Sequence, residues 1–553
     1  MEASSNDTRT IDLDDIRERL RQPSGKQFWR SLDELAGTER FAKFLHAEFP
    51  QAANSLLEAV DRRQFIKLMS ASMALAGLSA CTRQPEEKIV PYVKQPENVV
   101  PGEPLYFATA MPFAGSAIGL LVENHAGRPT KIEGNPMHPA SLGATDVFAQ
   151  AAVLGLYDPD RTRAITRGGE IRPWSVLAAE VTALVARLQD KQGEGVRFLS
   201  GALTSPTAAR QIREILTTLP KAKWHRYEAV NRDGARTGSQ YAFGSLVDSR
   251  YRFDKADVVL SLDADFLTTG PGAVRHTRDF TRRRKVEKGG ARMNRLYVVE
   301  STPSLTGSMA DHRLPLGSAE IESLTFAIAK ALGLDAPEPS GVAAHASWVA
   351  AVVADLQAHK GKSLVVPGEF QSPVVHAFAH RINYALGNIG ASVLYTRTVE
   401  EDAVVHGESL RDLTADMEAG KVEALFVLGG NPVYDAPVDL RFAEHLGKVG
   451  LRIHLGSHDD ETSEQCHWHV PEAHFLEEWS DTRSFDGTAS IIQPLIAPLY
   501  EGKSIHEVLG LFHDDATRSG YERVRDTWKA ETGADGEAFE RQWRRWLHDG
   551  VIG

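Results

Sequence analysis

Cysteine is scarce in this 553-residue sequence, which contains only Cys81 and Cys466. An iron-sulfur cluster normally takes four thiolate ligands, so the chain cannot ligate a cluster by itself. No Cys-x-x-Cys-His sequence is present, which excludes covalent attachment of a c-type haem. Electron-transfer groups of these two kinds would have to belong to other polypeptides.

The sequence also lacks a basic excess, since its formal net charge is -12. This balance disfavours nucleic acid as a partner, because no positive surplus exists to neutralise phosphates. We expect the densest basic run, residues 282–285, to be a solvated face or a subunit contact. Neither a Gly-x-Ser-x-Gly nucleophile elbow nor a Walker phosphate loop occurs, so hydrolases and nucleotide-binding enzymes of those types are disfavoured.

An export signal is the most informative feature that is present. Residues 62–67, RRQFIK, form a twin-arginine motif, followed by an uncharged stretch at residues 68–80 and by a lipobox cysteine, Cys81. The uncharged stretch is too short to cross a bilayer core of about 30 Å, so we interpret it as the core of a signal peptide. The alternative is a buried amphipathic helix after two solvated arginines. The residues that define the export motif are Arg62, Arg63, Phe65 and Lys67.

A long extension, residues 1–60, precedes this signal at residues 61–81. Within it, residues 26–50 include a short helical pattern whose apolar face carries Phe41, Phe44 and Leu45. Two interpretations stay open: a segment that binds something before or during export, and a disordered leader with one weak helix. A linker rich in proline and charge follows at residues 82–104.

The body of the chain predicts an α/β fold of several domains. Alternation predicts a β-hairpin at residues 117–133, within a β-rich domain at residues 105–165. Apolar strands then alternate with amphipathic helices over residues 166–480, which is typical of doubly wound parallel sheets. The last segment, residues 481–553, is expected to be helical and truncated. The predicted strands are residues 196–199, 257–262, 295–300, 363–366, 392–395, 424–428 and 451–455.

Three groups of residues are candidate sites. Gly429, Gly430 and Asn431 follow a predicted strand and would let the backbone approach a phosphate, or would be a residual feature without a ligand. Asp263 and Asp265 form either a carboxylate pair or turn caps. The weak zinc candidates, for which a hydrogen-bonded structural role is the alternative, are His467, His469 and His474.

Several segments resemble the molybdopterin oxidoreductases of the dimethyl-sulfoxide-reductase family. These are residues 122–163, residues 306–311, residues 376–395 and VLGGNPVYDAP at residues 427–437. With the extension and the displaced export signal, the chain resembles the molybdopterin-oxidoreductase-like half of the large iron-sulfur subunit of alternative complex III. That resemblance implies a molybdopterin-oxidoreductase-like multi-domain fold.

This sequence departs from the family's pattern in several ways. These departures imply that the chain keeps the family's fold without its metal. Residues 88–117 lack the cysteines of the family's cluster. We also expect the family's final, cofactor-clasping β-domain to be missing. The segment expected to hold the molybdenum ligand aligns with residues 231–244, where Gly238 stands near the ligand position and Ser239 beside it. We therefore expect no cofactor in this chain; the alternative is molybdopterin guanine dinucleotide in an active oxidoreductase of the family.

The resemblance also implies partners and a location. The expected function is that of a non-catalytic structural subunit of a membrane quinol:electron-acceptor oxidoreductase in a respiratory or photosynthetic chain. It would sit at the periplasmic face of the bacterial cytoplasmic membrane, anchored by lipid at Cys81. The implied partners are an iron-sulfur ferredoxin-like subunit, an integral-membrane quinol-binding subunit, and multihaem and monohaem cytochrome c subunits.

Overall fold

The computed structural model describes residues 99–100, 102–285, 293–513 and 517–553. The twin-arginine motif with Arg62, Arg63, Phe65 and Lys67, the lipobox cysteine Cys81 and the extension lie outside the described residues. The predictions made for those segments therefore stay predictions.

The strands, in chain order, are β1 (Leu105–Phe113), β2 (Ser116–His125), β3 (Arg128–Gly134), β4 (Thr166–Arg167), β5 (Glu170–Ile171), β6 (Val196–Ser200), β7 (Lys223–Arg226), β8 (Asp248–Tyr251), β9 (Val258–Leu262), β10 (Arg295–Glu300), β11 (His312–Pro315), β12 (Ser363–Pro367), β13 (Val393–Thr396), β14 (Ala424–Leu428), β15 (Leu451–Gly456), β16 (Trp468–Pro471), β17 (Ser480–Arg483) and β18 (Ala489–Ile492).

The α-helices are α1 (Val147–Leu156), α2 (Trp174–Gln189), α3 (Pro206–Thr218), α4 (Asp233–Phe243), α5 (Ala273–Arg282), α6 (Leu305–Ser308), α7 (Ser318–Ala331), α8 (Ala346–Ala358), α9 (Pro373–Ala385), α10 (His406–Glu418), α11 (Pro432–Asp435), α12 (Phe442–Leu446), α13 (Glu461–Gln465), α14 (Ile505–Gly510), α15 (Gly520–Thr532) and α16 (Gly536–Asp549). Short 3-10 helices span Phe253–Lys255, Ala343–His345 and Val438–Leu440.

An antiparallel sheet joins β1, β2 and β3. The hairpin predicted at residues 117–133 is confirmed, since β2 and β3 pair along their length. Its turn holds Ala126 and Gly127 at φ values of 50° and 84°, and the Gly127 N–H donates to Asn124 Oδ1 at 2.8 Å. The sequence analysis missed β1, which pairs with β2 over nine residues.

The largest sheet has the strand order β5-β4-β16-β15-β14-β6-β7, and the five strands from β16 to β7 run parallel. β14 is buried at every position. Phe426 packs in a layer with α2 and α3, whereas Val427 packs in the opposite layer with α10. Helices therefore cover both faces, as apolar strands alternating with amphipathic helices predict.

A second parallel sheet has the order β11-β10-β9-β12. Leu260 of β9 packs with α7, α8 and α9, while its neighbour Val259 packs with Phe280 of α5. β9 and β12 pair directly and end at the same edge, so residues 263–266 and 368–369 meet there. That edge positions the candidate site described below.

The carboxyl-terminal residues pack onto the β-rich domain. Residues 520–553 are helical, as predicted, and Trp543 and Trp546 of α16 join one apolar cluster with β18. The rest of residues 481–553 is not helical throughout, because β18 and the end of β17 lie there. β17 is polar and each strand has only four residues, so no periodicity revealed them. The Asn135 side-chain amide donates to the Asp549 carbonyl at 2.7 Å, which ties α16 to the loop after β3.

In the part of the chain that the structure describes, no helix combines the length and the apolar character needed to cross a membrane.

Candidate functional site

A cavity of about 80 Å³ lies at the carboxyl edge of the four-stranded sheet. Residues 264–266, which follow β9, and residues 366–369, at the end of β12, line one part of it. Residues of α4, α5, α9 and β8, together with Arg232 and the loop at residues 269–271, also line it. Ligands of open α/β folds bind at this edge of a sheet, so the cavity is the candidate site.

Three histidines that line this cavity are held neutral. Burial lowers the pKa of His276 and of His376 to about 3, and that of His380 to about 4. His380 Nδ1 shares a hydrogen bond of 2.9 Å with the Tyr395 hydroxyl. Among the described residues, Nε2 of His276 and Nε2 of His376 have no hydrogen-bond partner. Such buried nitrogens need water or another small polar partner, for which the cavity has room.

The cations that line the cavity are already paired. Arg232 lies 3.4 Å from the Asp248 carboxylate and 3.4 Å from that of Glu369. The Arg236 guanidinium is paired with the buried carboxylate of Glu400. An anionic ligand entering here would therefore meet neutralised arginines and carboxylates, which is unfavourable.

The sequence offered a carboxylate pair or caps of the following turn, whereas the side chains of Asp263 and Asp265 accept hydrogen bonds from loops that are distant in the chain. Asp265 Oδ1 accepts hydrogen bonds from the Thr306 N–H at 3.0 Å and from its hydroxyl at 2.6 Å. Asp263 accepts from the Ser301 N–H at 3.0 Å and from the Gln371 amide at 2.9 Å. The two carboxylates therefore hold the loops around the edge of the sheet through these hydrogen bonds.

Gly238 and Ser239 lie in α4 where this helix crosses α9. A Cβ on Gly238 would be 2.4 Å from the His376 Cβ and 2.8 Å from the Pro373 carbonyl oxygen. Only glycine permits so close an approach. Ser239 is buried, and its hydroxyl donates to the Arg236 carbonyl at 2.8 Å. The close packing of α4 against α9 therefore explains the glycine at the position expected near a metal ligand.

Gly429, Gly430 and Asn431 form the loop between β14 and α11. Gly429 and Gly430 have φ values of 83° and 77°, which favour glycine. The Gly430 carbonyl accepts from His454 Nε2 at 3.0 Å, and Asn431 Oδ1 accepts from the Thr462 hydroxyl at 2.7 Å. The loop is held by protein partners on β15 and α13.

The structure does not gather the weak zinc candidates His467, His469 and His474. His467 Nδ1 accepts from the Arg452 N–H at 3.0 Å, and His474 Nδ1 accepts from the Leu476 N–H at 3.3 Å. His469 forms its hydrogen bonds with Thr162 and His454. Within the described ranges, no group of three or more His, Cys, Asp or Glu side chains has a placement suited to a metal ion.

The sequence analysis did not predict a buried series of hydrogen bonds that passes through His469. The Thr162 hydroxyl lies 3.0 Å from His469 Nε2, His469 Nδ1 lies 3.2 Å from His454 Nδ1, and His454 Nε2 lies 3.0 Å from the Gly430 carbonyl. Since a carbonyl only accepts, His454 donates from Nε2, His469 donates from Nδ1 and Thr162 donates to His469. The only sequence signal was one histidine in each of two adjacent strands, whose parallel register pairs them.

Comparison with known proteins identifies the fold. No family model matches the chain. The chain is 24% identical over 537 residues to "Menaquinone reductase, molybdopterin-binding-like subunit" of Nitratidesulfovibrio vulgaris strain Hildenborough, covering 87% of this chain and 76% of that protein. Its structure is similar to that of acetylene hydratase from Pelobacter acetylenicus, with a TM-score of 0.56 and 13% identity, covering 78% of this chain and 73% of the other. This likeness concerns the fold alone, and together with the sheets described above it confirms the expected α/β, molybdopterin-oxidoreductase-like fold.

Proposed function

We propose that the chain is a non-catalytic structural subunit of a membrane quinone-linked oxidoreductase. The observation that carries this proposal is the similarity, over 87% of the chain, to a protein named as the molybdopterin-binding-like subunit of menaquinone reductase. The chemistry of Cys466 supports it. This cysteine is buried, and burial raises the pKa of its thiol to about 12, so it is not a ready thiolate ligand.

Molybdopterin guanine dinucleotide, the cofactor that the fold family implies, does not fit the described residues. The cavity at the sheet edge and the groove beside it measure about 80 and 240 Å³. Sites for drug-sized ligands, which are smaller than this cofactor, usually occupy about 300–1,000 Å³. Its phosphates would meet arginines already paired with carboxylates, and Gly238 is enclosed in a helix crossing. These observations support a subunit without the cofactor.

We propose further that the complex is alternative complex III, a quinol:electron-acceptor oxidoreductase. The support is the sequence resemblance, above all the extension at residues 26–50 and the displaced twin-arginine motif. Export followed by acylation of Cys81 would hold the chain at the periplasmic face of the cytoplasmic membrane, because more than one acyl chain gives lasting attachment. The redox groups would belong to the iron-sulfur, quinol-binding and cytochrome c subunits.

Purification of the native protein from solubilised membranes tests this proposal. We expect mass spectrometry to find the chain with iron-sulfur, integral-membrane and cytochrome c subunits, and to place its mature amino terminus at Cys81. A chain recovered free of any membrane complex would contradict the proposal and indicate an export-stage assembly factor. Stoichiometric molybdenum or bound pterin would indicate an active molybdopterin-dependent oxidoreductase instead.

A further inference from the structure

The cavity at the carboxyl edge of the four-stranded sheet contains hydrogen-bonding atoms that the described residues do not satisfy. His276 and His376 both line it, and they are 6% and 4% exposed. The Nε2 atom of each has no hydrogen-bond partner among the described residues. Burial lowers the pKa of both to about 3, so the rings are neutral near pH 7. A neutral imidazole carries one proton, and its Nε2 accepts a hydrogen bond when that proton is on Nδ1.

The lining of this cavity carries more negative than positive charge. Its charged residues are Arg232, Arg236, Asp248, Asp265 and Glu369. Two carboxylates share one arginine, because the Arg232 guanidinium lies 3.4 Å from that of Asp248 and 3.4 Å from that of Glu369. Arg236 is paired with a further carboxylate, that of Glu400. The cavity therefore attracts a cation and repels an anion.

The size of the cavity and its apolar residues restrict the ligand further. An apolar cavity of about 150 Å³ accommodates benzene, and a water molecule takes about 30 Å³ in the liquid, so about 80 Å³ suits a molecule of roughly three non-hydrogen atoms. Phe266 and Val366 line the cavity and are buried, and the Tyr251 ring lines it as well. Aromatic rings attract cations, and apolar side chains accommodate a short alkyl group.

The neighbouring groove provides a way into the cavity. Arg232, Gly270 and Glu369 line both the cavity and the groove of about 240 Å³, so the two spaces adjoin. The side chains of Arg232 and Glu369 are 24% and 28% exposed, so both reach solvent. A cation arriving from solvent therefore meets a carboxylate where the groove and the cavity join.

We propose that the cavity binds a small alkylammonium ion, whose N–H groups donate to the unpartnered histidine nitrogens and whose charge offsets the excess of carboxylates. Its alkyl group would contact Phe266 and Val366. The inference goes beyond the proposed function and does not rest on it, because this binding needs no second subunit.

Calorimetric titration of the purified full-length chain with ethylammonium chloride at pH 7 tests the site. Sodium formate is the matched control, since formate is an anion with the same number of non-hydrogen atoms. We expect ethylammonium to bind saturably, at about one ion per chain, and formate not to bind. Sodium chloride at equal concentration controls for ionic strength. Lack of ethylammonium binding, or equal binding of formate, overturns the inference and leaves the proposed function standing.

A histidine variant tests whether the bound ion contacts the unpartnered nitrogens. His376→Leu removes one of the two Nε2 acceptors. His445→Leu is its control, because His445 is also buried with an unpartnered ring nitrogen, Nδ1, but is not among the residues that line this cavity. We expect His376→Leu to weaken ethylammonium binding about tenfold, as does the loss of a hydrogen bond to a charged group. His445→Leu should bind as the wild-type chain does.

A charge variant keeps the test decisive if His376→Leu does not fold. Glu369→Gln removes one negative charge from a partly exposed side chain, and we expect about fivefold weaker binding. Glu338→Gln, at a side chain that is 87% exposed, is the control and should not change binding. Circular dichroism establishes that each variant is folded. Unchanged ethylammonium binding by folded His376→Leu and Glu369→Gln would place the ion elsewhere and overturn the inference.

Discussion

At the scale of single residues, Gly238 shows that helix packing, rather than a metal, explains the residue at the expected ligand position. We predict that Gly238→Ala lowers the free energy of unfolding by about 1–3 kcal/mol, the usual cost of forcing atoms into a close-packed contact. Gly155→Ala, in α1, is the matched control. Its Cβ would meet only His474 Nε2, at 3.8 Å, and alanine favours a helix over glycine by about 1 kcal/mol.

Denaturant unfolding of the two alanine variants measures this difference. A Gly238→Ala protein as stable as Gly155→Ala would mean that α4 and α9 do not approach as closely as the structure shows. The ligand position would then again be open to a cofactor.

His276 makes the folded chain sensitive to acid. An unfolded histidine titrates near pH 6.5, whereas burial lowers the pKa of His276 to about 3. Between these pH values the unfolded chain binds a proton that the folded chain does not, so the free energy of unfolding falls as the pH decreases through this window. We predict that His276→Phe makes the slope of the free energy of unfolding against pH smaller, by the amount that corresponds to about one bound proton. It keeps the ring contacts with Phe253 and Phe485, whose centroids lie 5.0 and 5.4 Å away.

Unfolding measured by denaturant from pH 7 to pH 4 gives the slope for the wild-type chain and for His276→Phe. Identical slopes would show that His276 is protonated as readily when folded as when unfolded, contrary to its buried position.

At the scale of elements, a buried ion pair joins the residues after α1 to those after β16. The Arg161 guanidinium lies 2.7 Å from the Glu477 carboxylate, and their side chains are 3% and 0% exposed. We predict that Arg161→Met lowers the free energy of unfolding by about 3–5 kcal/mol, because it leaves a buried carboxylate without its cation. Arg541→Met removes an exposed pair with Glu537 and should cost about 1 kcal/mol or less.

Thermal or denaturant unfolding compares these variants. Adding Glu477→Gln to Arg161→Met should recover part of the loss, because the remaining group is then neutral. Equal losses for Arg161→Met and Arg541→Met would contradict a buried pair between the two elements.

Strands that form continuous apolar runs could be predicted from the sequence. Elements whose residues are explained by contacts with distant parts of the chain could not. β14 matches the predicted residues 424–428 because it is buried and apolar at every position, and β10 matches residues 295–300 because its four central residues, LYVV, are buried and apolar. α4, with the sequence DGARTGSQYAF, was missed since it has two glycines and no apolar period. Gly238 is required by the contact of α4 with α9, and Gly234 by the contact with the Gln371 carbonyl in the loop before α9; both neighbours lie more than 130 residues later in the chain. The pairing of His454 with His469 likewise depends on strand register.

At the scale of the whole molecule, the fold does not by itself imply redox chemistry. The described chain keeps two parallel sheets covered by helices and the edge at which such folds bind ligands. That edge now holds neutral histidines, paired arginines and a cavity of about 80 Å³. This arrangement is what we expect of the proposed role, in which the chain is a structural subunit and other subunits carry the electrons.

The ratio of molybdenum to chain in a purified complex that oxidises or reduces quinone tests this interpretation most directly. We predict quinone-linked activity with molybdenum and pterin near zero per chain, because the cavity at the sheet edge, about 80 Å³, is far smaller than the usual site of a drug-sized ligand, about 300–1,000 Å³. Molybdenum at about one atom per chain, lost together with the activity when the cofactor is removed, would contradict it.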